Sequence, residues 1–96
     1  MNVSFNRLAE RELNDAVQFY ELESPGLGTA FLTEVQRCCD AILEYPDAGH
    51  VALGSIQRRL VRRFPYAVLY TTRRGVVRVL AIMNLKRRPA YWIGRS

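Results

Sequence analysis

The amino-acid sequence predicts an α+β fold in which a helical hairpin packs on one face of a small antiparallel sheet. Two observations lead to this prediction. Apolar residues recur every three to four positions in the first half of the chain, which is typical of amphipathic helices. The second half contains runs of β-branched and aromatic residues joined by short turns. The predicted order is β-α-α-β-β-β, and 96 residues suffice for a single domain, residues 1–96, with one core.

The first strand and the two helices are predicted within residues 2–46. Asn2–Phe5 has the alternation of a short strand, and Asn6 is suited to cap the helix that follows. The first helix covers RLAERELNDAVQFYELE and stops at SPGLG. The second covers GTAFLTEVQRCCDAILEYP and ends at Pro46, because a residue before proline avoids helical geometry. A break this short predicts an antiparallel helical hairpin.

A loop and three strands are predicted for the remainder of the chain. The segment PDAGHVALG has the composition of a loop. The strands are expected at Ile56–Phe64, Tyr66–Thr72 and Val76–Leu85, and RRG forms the last hairpin turn. The last of these strands is apolar on both faces except at Arg78 and Asn84, which is typical of a central strand. We expect the first strand to return and pair in this sheet.

The charges are unevenly distributed along the chain. The net charge is +5, from 14 basic and 9 acidic residues. Residues 1–47 contain all nine acids and three arginines, a net charge of −6, whereas residues 48–96 contain eleven bases and no acid. Thirteen of the 14 bases are arginines, which bind carboxylates and phosphates in a bidentate manner. This asymmetry predicts a polyanionic partner for the basic half.

The composition also argues against several classes of protein. No apolar run has the length of a membrane span, and the N-terminal residues lack an apolar signal core, so we expect a cytoplasmic protein with no membrane contact. Cys38 and Cys39 are adjacent and do not satisfy the geometry of an ordinary disulfide. We interpret them as buried thiols and expect no metal site and no cofactor.

Two segments resemble the RelE/ParE superfamily of bacterial toxins. RRLVRRFPYAVLY, Arg58–Tyr70, is similar to the arginine-bearing strand of that superfamily, its FPY turn and the tyrosine strand after it. VLAIMNLKRRPAYW, Val79–Trp92, is similar to the last strand and its arginine–proline–aromatic tail. The resemblance covers nearly the whole chain. It implies the growth-inhibiting toxin of a type II toxin–antitoxin system, held in a hetero-oligomer by a small, acidic cognate antitoxin.

The superfamily has two branches, which differ in whether they cut RNA. RelE-like members cut mRNA in the ribosome, whereas ParE-like members inhibit DNA gyrase. Metal-free RNA cleavage needs a general base and a general acid. The only lysine is Lys86, the only histidine is His50 in a predicted loop, and Asn84 occupies the position where superfamily members often carry histidine. A catalytic Tyr91 is a further alternative, although an unperturbed phenol titrates near pH 10.

These departures favour the ParE-like branch, with DNA gyrase as the target and no catalytic residue. Two alternatives stay open. The first is a RelE-like, metal-independent endoribonuclease whose partners are the ribosome and mRNA. The second is a non-toxic module that only binds its antitoxin.

The predicted target-binding surface consists of the arginines of the basic half and two aromatic residues of the tail. Its members are Arg58, Arg59, Arg62, Arg63, Arg78, Arg87, Arg88, Tyr91, Trp92 and Arg95. Tyr91 and Trp92 are the expected aromatic anchors, because such residues dominate interfaces. For Arg78, which interrupts an apolar strand, two placements stay open: it reaches a buried acid on the helices, or it lines the functional face.

The antitoxin is expected to cover this tail or the neighbouring part of the sheet. An acidic, amphipathic antitoxin tail would dock as a helix in a groove or as an added strand. The antitoxin-binding candidates are Leu60, Phe64, Tyr66 and Tyr70.

Overall fold

A computed structural model of the chain describes residues 2–87 and 91–95. Two helices pack on one face of a five-stranded sheet with the strand order β1-β5-β4-β3-β2. The elements are β1 Asn2–Phe5, α1 Arg7–Glu23, α2 Leu27–Glu44, β2 His50–Leu53, β3 Ile56–Leu60, β4 Tyr66–Arg73 and β5 Val76–Asn84. The predicted α+β fold, a helical hairpin on one face of a small sheet, is confirmed. Neither helix in the described part of the chain is long and apolar enough to cross a membrane.

Two features of the sheet differ from the prediction. The predicted loop at residues 46–54 contains β2, which runs antiparallel to β3 with His50 opposite Arg58. All four residues of β2 are exposed, so an apolar alternation could not indicate this strand. The first strand does return to the sheet, but it runs parallel to β5, with Asn2 opposite Val76. The sheet is therefore mixed, because the helical hairpin acts as the long crossover that parallel strands require.

The third strand ends at Leu60, earlier than the sequence predicts. Arg63 has a φ of 72°, in the left-handed region, and turns the chain back toward β4. The turn is closed by a hydrogen bond of 2.9 Å from the Val61 amide to the Tyr66 carbonyl. The arginine-rich segment therefore divides into a strand and a loop, and Arg62 and Arg63 lie in the loop.

The main core lies between the helical hairpin and the sheet. Four aromatic side chains from both helical and sheet segments meet there, namely Tyr20, Phe31, Phe64 and Tyr66. Their ring centroids are 4.8–6.1 Å apart, and most pairs have edge-to-face geometry, which aromatic quadrupoles favour. The FPY turn is therefore anchored in the core.

The junction between the helices is closed by Glu21 of α1. Its carboxylate accepts hydrogen bonds from the amides of Gly26 at 2.9 Å and Gly28 at 3.0 Å, at the start of α2. Gly26 is the N-cap residue, has a φ of 90°, and has no side chain that could serve as a cap. An acid at a helix N-terminus is favourable, because the free amides and the helix dipole attract negative charge.

A second, smaller apolar cluster lies on the opposite face of the sheet. Ala67 and Leu69 of β4 and Ala81 of β5 pack there against Trp92, which is 5% exposed. The C-terminal segment, residues 91–95, therefore folds back over the sheet face that lies opposite the helices. The central strand predicted from apolar residues on both faces is confirmed, since β5 lies between β1 and β4.

Two buried thiols should make the fold sensitive to alkali. Burial raises the pKa of Cys38 from 9.0 to about 11 and that of Cys39 from 9.0 to about 12. Since the thiols ionise less readily in the folded chain than in the unfolded one, their stabilising effect is complete below about pH 9 and is lost as the pH rises. Between about pH 9 and the raised pKa of each thiol, we expect the free energy of unfolding to fall by about 1.4 kcal/mol per pH unit for each thiol. Urea unfolding measured on both sides of this pH tests the expectation.

The matched variant for the alkaline effect is Cys39→Ala. It removes one of the two buried thiols, so its free energy of unfolding should decline less steeply with pH than that of the unmodified chain. An equal slope in both proteins would contradict a contribution from Cys39.

Candidate functional site

The arginines of the predicted surface lie on different sides of the molecule. Arg58 lines a pocket on the outer face of the sheet, the face opposite the helices, together with Leu69 and Trp92. Arg59 lies on the helix side beside Cys38, because successive side chains of a strand point to opposite faces. Arg62 and Arg63 are exposed in the loop after β3. The predicted set therefore forms several separate patches.

A buried acid of α2 lies beside the loop after β3. The Glu34 carboxylate is 3.4 Å from Nη1 of Arg37 and 4.0 Å from Nη1 of Arg63. The guanidinium of Arg63 also lies 5.7 Å from the centroid of the Phe64 ring. Since both arginines are largely exposed, these ion pairs add little stability and leave the guanidinium groups accessible.

Arg78 lines the outer face of the sheet. Its Nη1 donates a hydrogen bond of 3.2 Å to Oγ of Ser4. It borders a groove of about 500 Å³ with an apolar floor formed by Ile56, Val76 and Leu80. Of the two placements left open by the sequence, contact with a buried acid of the helices is therefore wrong.

The outer-face groove has a cationic rim. Arg73, Arg78 and Arg95 all line it, beside its apolar floor. Apolar surface with charges of one sign at its border matches an amphipathic segment of the opposite charge. The groove therefore suits an acidic, amphipathic peptide.

The C-terminal segment is bound by Glu12 of α1, a residue that the sequence analysis did not single out. Oε2 of Glu12 accepts a hydrogen bond of 2.7 Å from the Tyr91 hydroxyl. Oε1 accepts from Nη1 of Arg95 at 2.8 Å and from the Ile82 amide at 3.1 Å. Arg87 lies 3.7 Å from Oε2. These contacts join α1, β5 and the C-terminal segment at one carboxylate.

The Tyr91 ring also lies close to two guanidinium groups. The centroid of the ring is 4.2 Å from Cζ of Arg87 and 5.0 Å from Cζ of Arg95, within the range of cation–π attraction. Burial and the hydrogen bond to Glu12 raise the pKa of Tyr91 above its usual value. A phenol that is held neutral is a poor general base, which argues against Tyr91 as a catalytic tyrosine.

Glu12 has a signal in the sequence that could have identified it. It follows Ala9 by three residues and precedes Ala16 by four, and both alanines are buried. Residues at these spacings share one face of a helix. An acid on the buried face of a helix needs hydrogen-bond donors or a cation, and the basic second half of the chain provides both.

The two aromatic residues of the tail, which are expected to act as anchors, are largely withdrawn from the surface. Trp92 lies in the outer-face core, because its ring packs against the small and apolar side chains of β4 and β5. Tyr91 is half-buried and hydrogen-bonded to Glu12. Among the described residues of this site, the accessible group is Arg87, whose side chain is 56% exposed. Arg88, assigned to the same surface, lies outside the described residues.

Three of the four antitoxin-binding candidates lie in the core. Tyr66 is buried, and Phe64 is half-buried within the aromatic cluster. Tyr70 is fully buried, and its hydroxyl donates a hydrogen bond of 3.0 Å to the Pro46 carbonyl. The side chains of Tyr66 and Tyr70 therefore serve the packing of the helices on the sheet, and their role as antitoxin contacts stays a prediction. Leu60 is exposed, and its role stays a prediction.

A polar cleft lies between α1 and the end of β5. It is lined by Glu12, Asp15, Ala16, Phe19, Tyr66, Ile82, Asn84 and Arg87. Oδ1 of Asn84 accepts a hydrogen bond of 2.9 Å from the Lys86 amide. His50 begins β2 at the opposite edge of the sheet and lines a different pocket with Arg58. The fold therefore separates His50 from Asn84 and Tyr91.

Comparison with known proteins identifies the family. A family model described as the ParE toxin of the type II toxin–antitoxin system, parDE, matches residues 3–89. The chain belongs to the ParE toxin family. The ParE-like branch indicated by the sequence is thereby confirmed, and membership implies an antitoxin partner.

A solved structure shares the ParE-like fold of this chain. It is a chain of a chromosomal ParDE toxin–antitoxin system from P. aeruginosa, with a TM-score of 0.77. The match covers 90% of this chain and 97% of that chain, at 12% sequence identity. At this identity the likeness concerns the fold alone. No curated protein matches the sequence.

Proposed function

We propose that this ParE-family chain is a cytoplasmic growth inhibitor that binds DNA gyrase and is neutralised by a small, acidic cognate antitoxin. Membership of the ParE family supports the assignment of the chain as a toxin that has a cognate antitoxin. The observation that carries the choice of mechanism is the contact between Tyr91 and Glu12. This contact gives Tyr91, a candidate acid–base residue, a structural role. The guanidinium of Arg87 stays exposed beside the Tyr91 ring.

Binding suits this site better than RNA cleavage does. Arginine stays protonated at physiological pH and is a poor base, whereas its planar guanidinium is well suited to bind carboxylates and phosphates. Burial and the Glu12 carboxylate raise the pKa of Tyr91, which keeps the hydroxyl neutral. The groups that this site offers to a partner are therefore permanently positive guanidinium groups and not an acid–base pair.

The outer-face groove is the proposed contact of the antitoxin. An acidic amphipathic tail would place apolar side chains on Ile56 and Leu80 and its carboxylates at the arginines of the rim. Such a tail would also contact Arg95, which lines the groove and at the same time binds Glu12. Antitoxin binding and the docking of the C-terminal segment would thus involve the same side chain.

One observation favours the nuclease alternative. Asp15 lines the polar cleft together with Arg87, so a carboxylate and a cation border the same concave surface. In a RelE-like endoribonuclease, Asp15 would act as the base and Arg87 would stabilise the phosphorane. Under the proposed function Asp15 has no such role, and Asp15→Asn should leave growth inhibition unchanged.

The purified chain should inhibit DNA supercoiling by gyrase and should leave mRNA intact in a translation reaction. Arg87→Ala should weaken the inhibition of gyrase by at least about tenfold, the effect of losing one charge-assisted hydrogen bond. The control is Arg7→Ala, which removes an exposed arginine from α1 and should retain full inhibition. Circular dichroism and urea unfolding check that both variants stay folded.

Two other outcomes would each reject gyrase inhibition. If the unmodified chain cleaved mRNA and Asp15→Asn abolished this cleavage, the chain would be an endoribonuclease. Intact mRNA, unaffected gyrase and normal growth, combined with tight antitoxin binding, would establish the non-toxic module.

A further inference from the structure

The edge of β5 changes its neighbour partway along the strand. β1 pairs with β5 from Val76 to Val79, and the Asn6 amide donates a final hydrogen bond of 2.8 Å to the Val79 carbonyl. In the described part of the chain, no strand continues this pairing along residues 80–84. An open strand edge leaves backbone groups that need other partners.

Two side chains occupy the place of a neighbouring strand at this edge. Oε1 of Glu12 accepts from the Ile82 amide at 3.1 Å, and Nη1 of Arg95 donates to the Leu80 carbonyl at 3.2 Å. The same Nη1 lies 2.8 Å from the same Oε1 of Glu12. The acid and the arginine therefore bind each other while each satisfies one backbone group of β5.

We propose that Glu12 is the positioning residue that docks residues 91–95 on the edge of β5. The basic C-terminal segment therefore binds an anionic group of its own chain, the Glu12 carboxylate of α1, in addition to any anionic partner. The inference concerns the segment used in the proposed function, but it does not depend on which target the segment meets.

Burial makes this contact strong enough to position a segment. The side chains of Glu12 and Arg95 are 14% and 15% exposed, so both charges are largely removed from water. Removing one partner of such a pair is costly because the other charge stays buried without compensation. If the Glu12 carboxylate became an uncharged amide, Arg95 would regain hydration by leaving the edge. Only one oxygen would then remain where two accept from Tyr91, Arg95 and the Ile82 amide.

The single tryptophan of the chain makes the docking measurable. Trp92 lies between Tyr91 and Arg95, the two tail residues that contact Glu12, and its ring is in the outer-face core. Release of the segment would expose the indole to water and move its fluorescence emission to longer wavelength. The Ile82 amide reports on the same event, because it would lose its hydrogen bond to a charged carboxylate.

The test compares Glu12→Gln with Glu10→Gln by tryptophan fluorescence and amide hydrogen exchange. Both variants lose one negative charge from α1, but Glu10 is exposed. Glu12→Gln should red-shift the Trp92 emission and accelerate exchange of the Ile82 amide by at least about tenfold, as expected for losing a hydrogen bond to a charged group. Glu10→Gln should change neither quantity. Unchanged emission and exchange in Glu12→Gln would overturn the proposal.

A second variant keeps the inference testable if Glu12→Gln destabilises the whole chain. Arg95→Ala leaves α1 intact and removes the tail's side of the contact, so it should also red-shift the Trp92 emission. An unshifted emission in a folded Arg95→Ala variant would overturn the proposal. Gyrase inhibition is measured separately on the same proteins, so a wrong target would leave the fluorescence result unaffected.

Discussion

Replacing Trp92 with alanine is expected to lower the free energy of unfolding by about 3–5 kcal/mol, the usual cost of removing a large buried aromatic side chain. The ring is 5% exposed and packs on Ala67, Leu69 and Ala81. Its loss would uncover the apolar surface of β4 and β5 and leave a cavity beneath the C-terminal segment. Urea unfolding followed by circular dichroism measures the effect without requiring the lost fluorophore.

The matched control is Ile93→Ala, in the next residue. Ile93 is exposed, so its truncation should change the free energy of unfolding by no more than about 0.5 kcal/mol. If Trp92→Ala were as stable as this control, the ring would not be a core residue, and its interpretation as an aromatic anchor for a partner would gain support. With the expected destabilisation, loss of growth inhibition in Trp92→Ala would not demonstrate a contact between Trp92 and gyrase.

The elements that depend on local patterns were predictable from the sequence. Helix α2 ends at Glu44, just before the proline that was expected to stop it, and β4 and β5 meet at the predicted turn around Gly75. Strand β2 could not be recognised, since its four exposed residues carry no apolar alternation. The parallel direction of β1 depends on where the crossover returns the chain, which local patterns do not specify.

The candidate site was harder to predict because its contacts join distant parts of the chain. The hydrogen bonds from Tyr91 and Arg95 to Glu12 span 79 and 83 residues. Charge counting indicated that the tail needs an anion, but it could not tell an acid of the same chain from one of a partner. Arg58 and Arg59 lie on different sides of the sheet, because successive side chains of a strand point to opposite faces.

Replacing Gly28 with alanine is expected to lower the free energy of unfolding by about 3 kcal/mol, at the upper end of overpacking effects. A Cβ at this position would contact the Val17 carbonyl oxygen of α1 and would lie 3.0 Å from Cβ of Glu21. The carbonyl belongs to helical backbone and does not move away as a flexible side chain would. Separating the helices would also lengthen the hydrogen bond from the Gly28 amide to Glu21.

The sign of the Gly28→Ala effect tests the packing, because helix propensity alone predicts the opposite result. In an uncrowded helix the same substitution stabilises by about 1 kcal/mol. Thr29→Ala, at the exposed next position of α2, is the control and should raise the free energy of unfolding by less than about 1 kcal/mol through propensity. If Gly28→Ala also stabilised the chain, α1 and α2 would have to lie farther apart than the contact between Gly28 and Val17 requires. A loss in Gly28→Ala beside a small gain in Thr29→Ala would assign the cost to the close approach of the two helices.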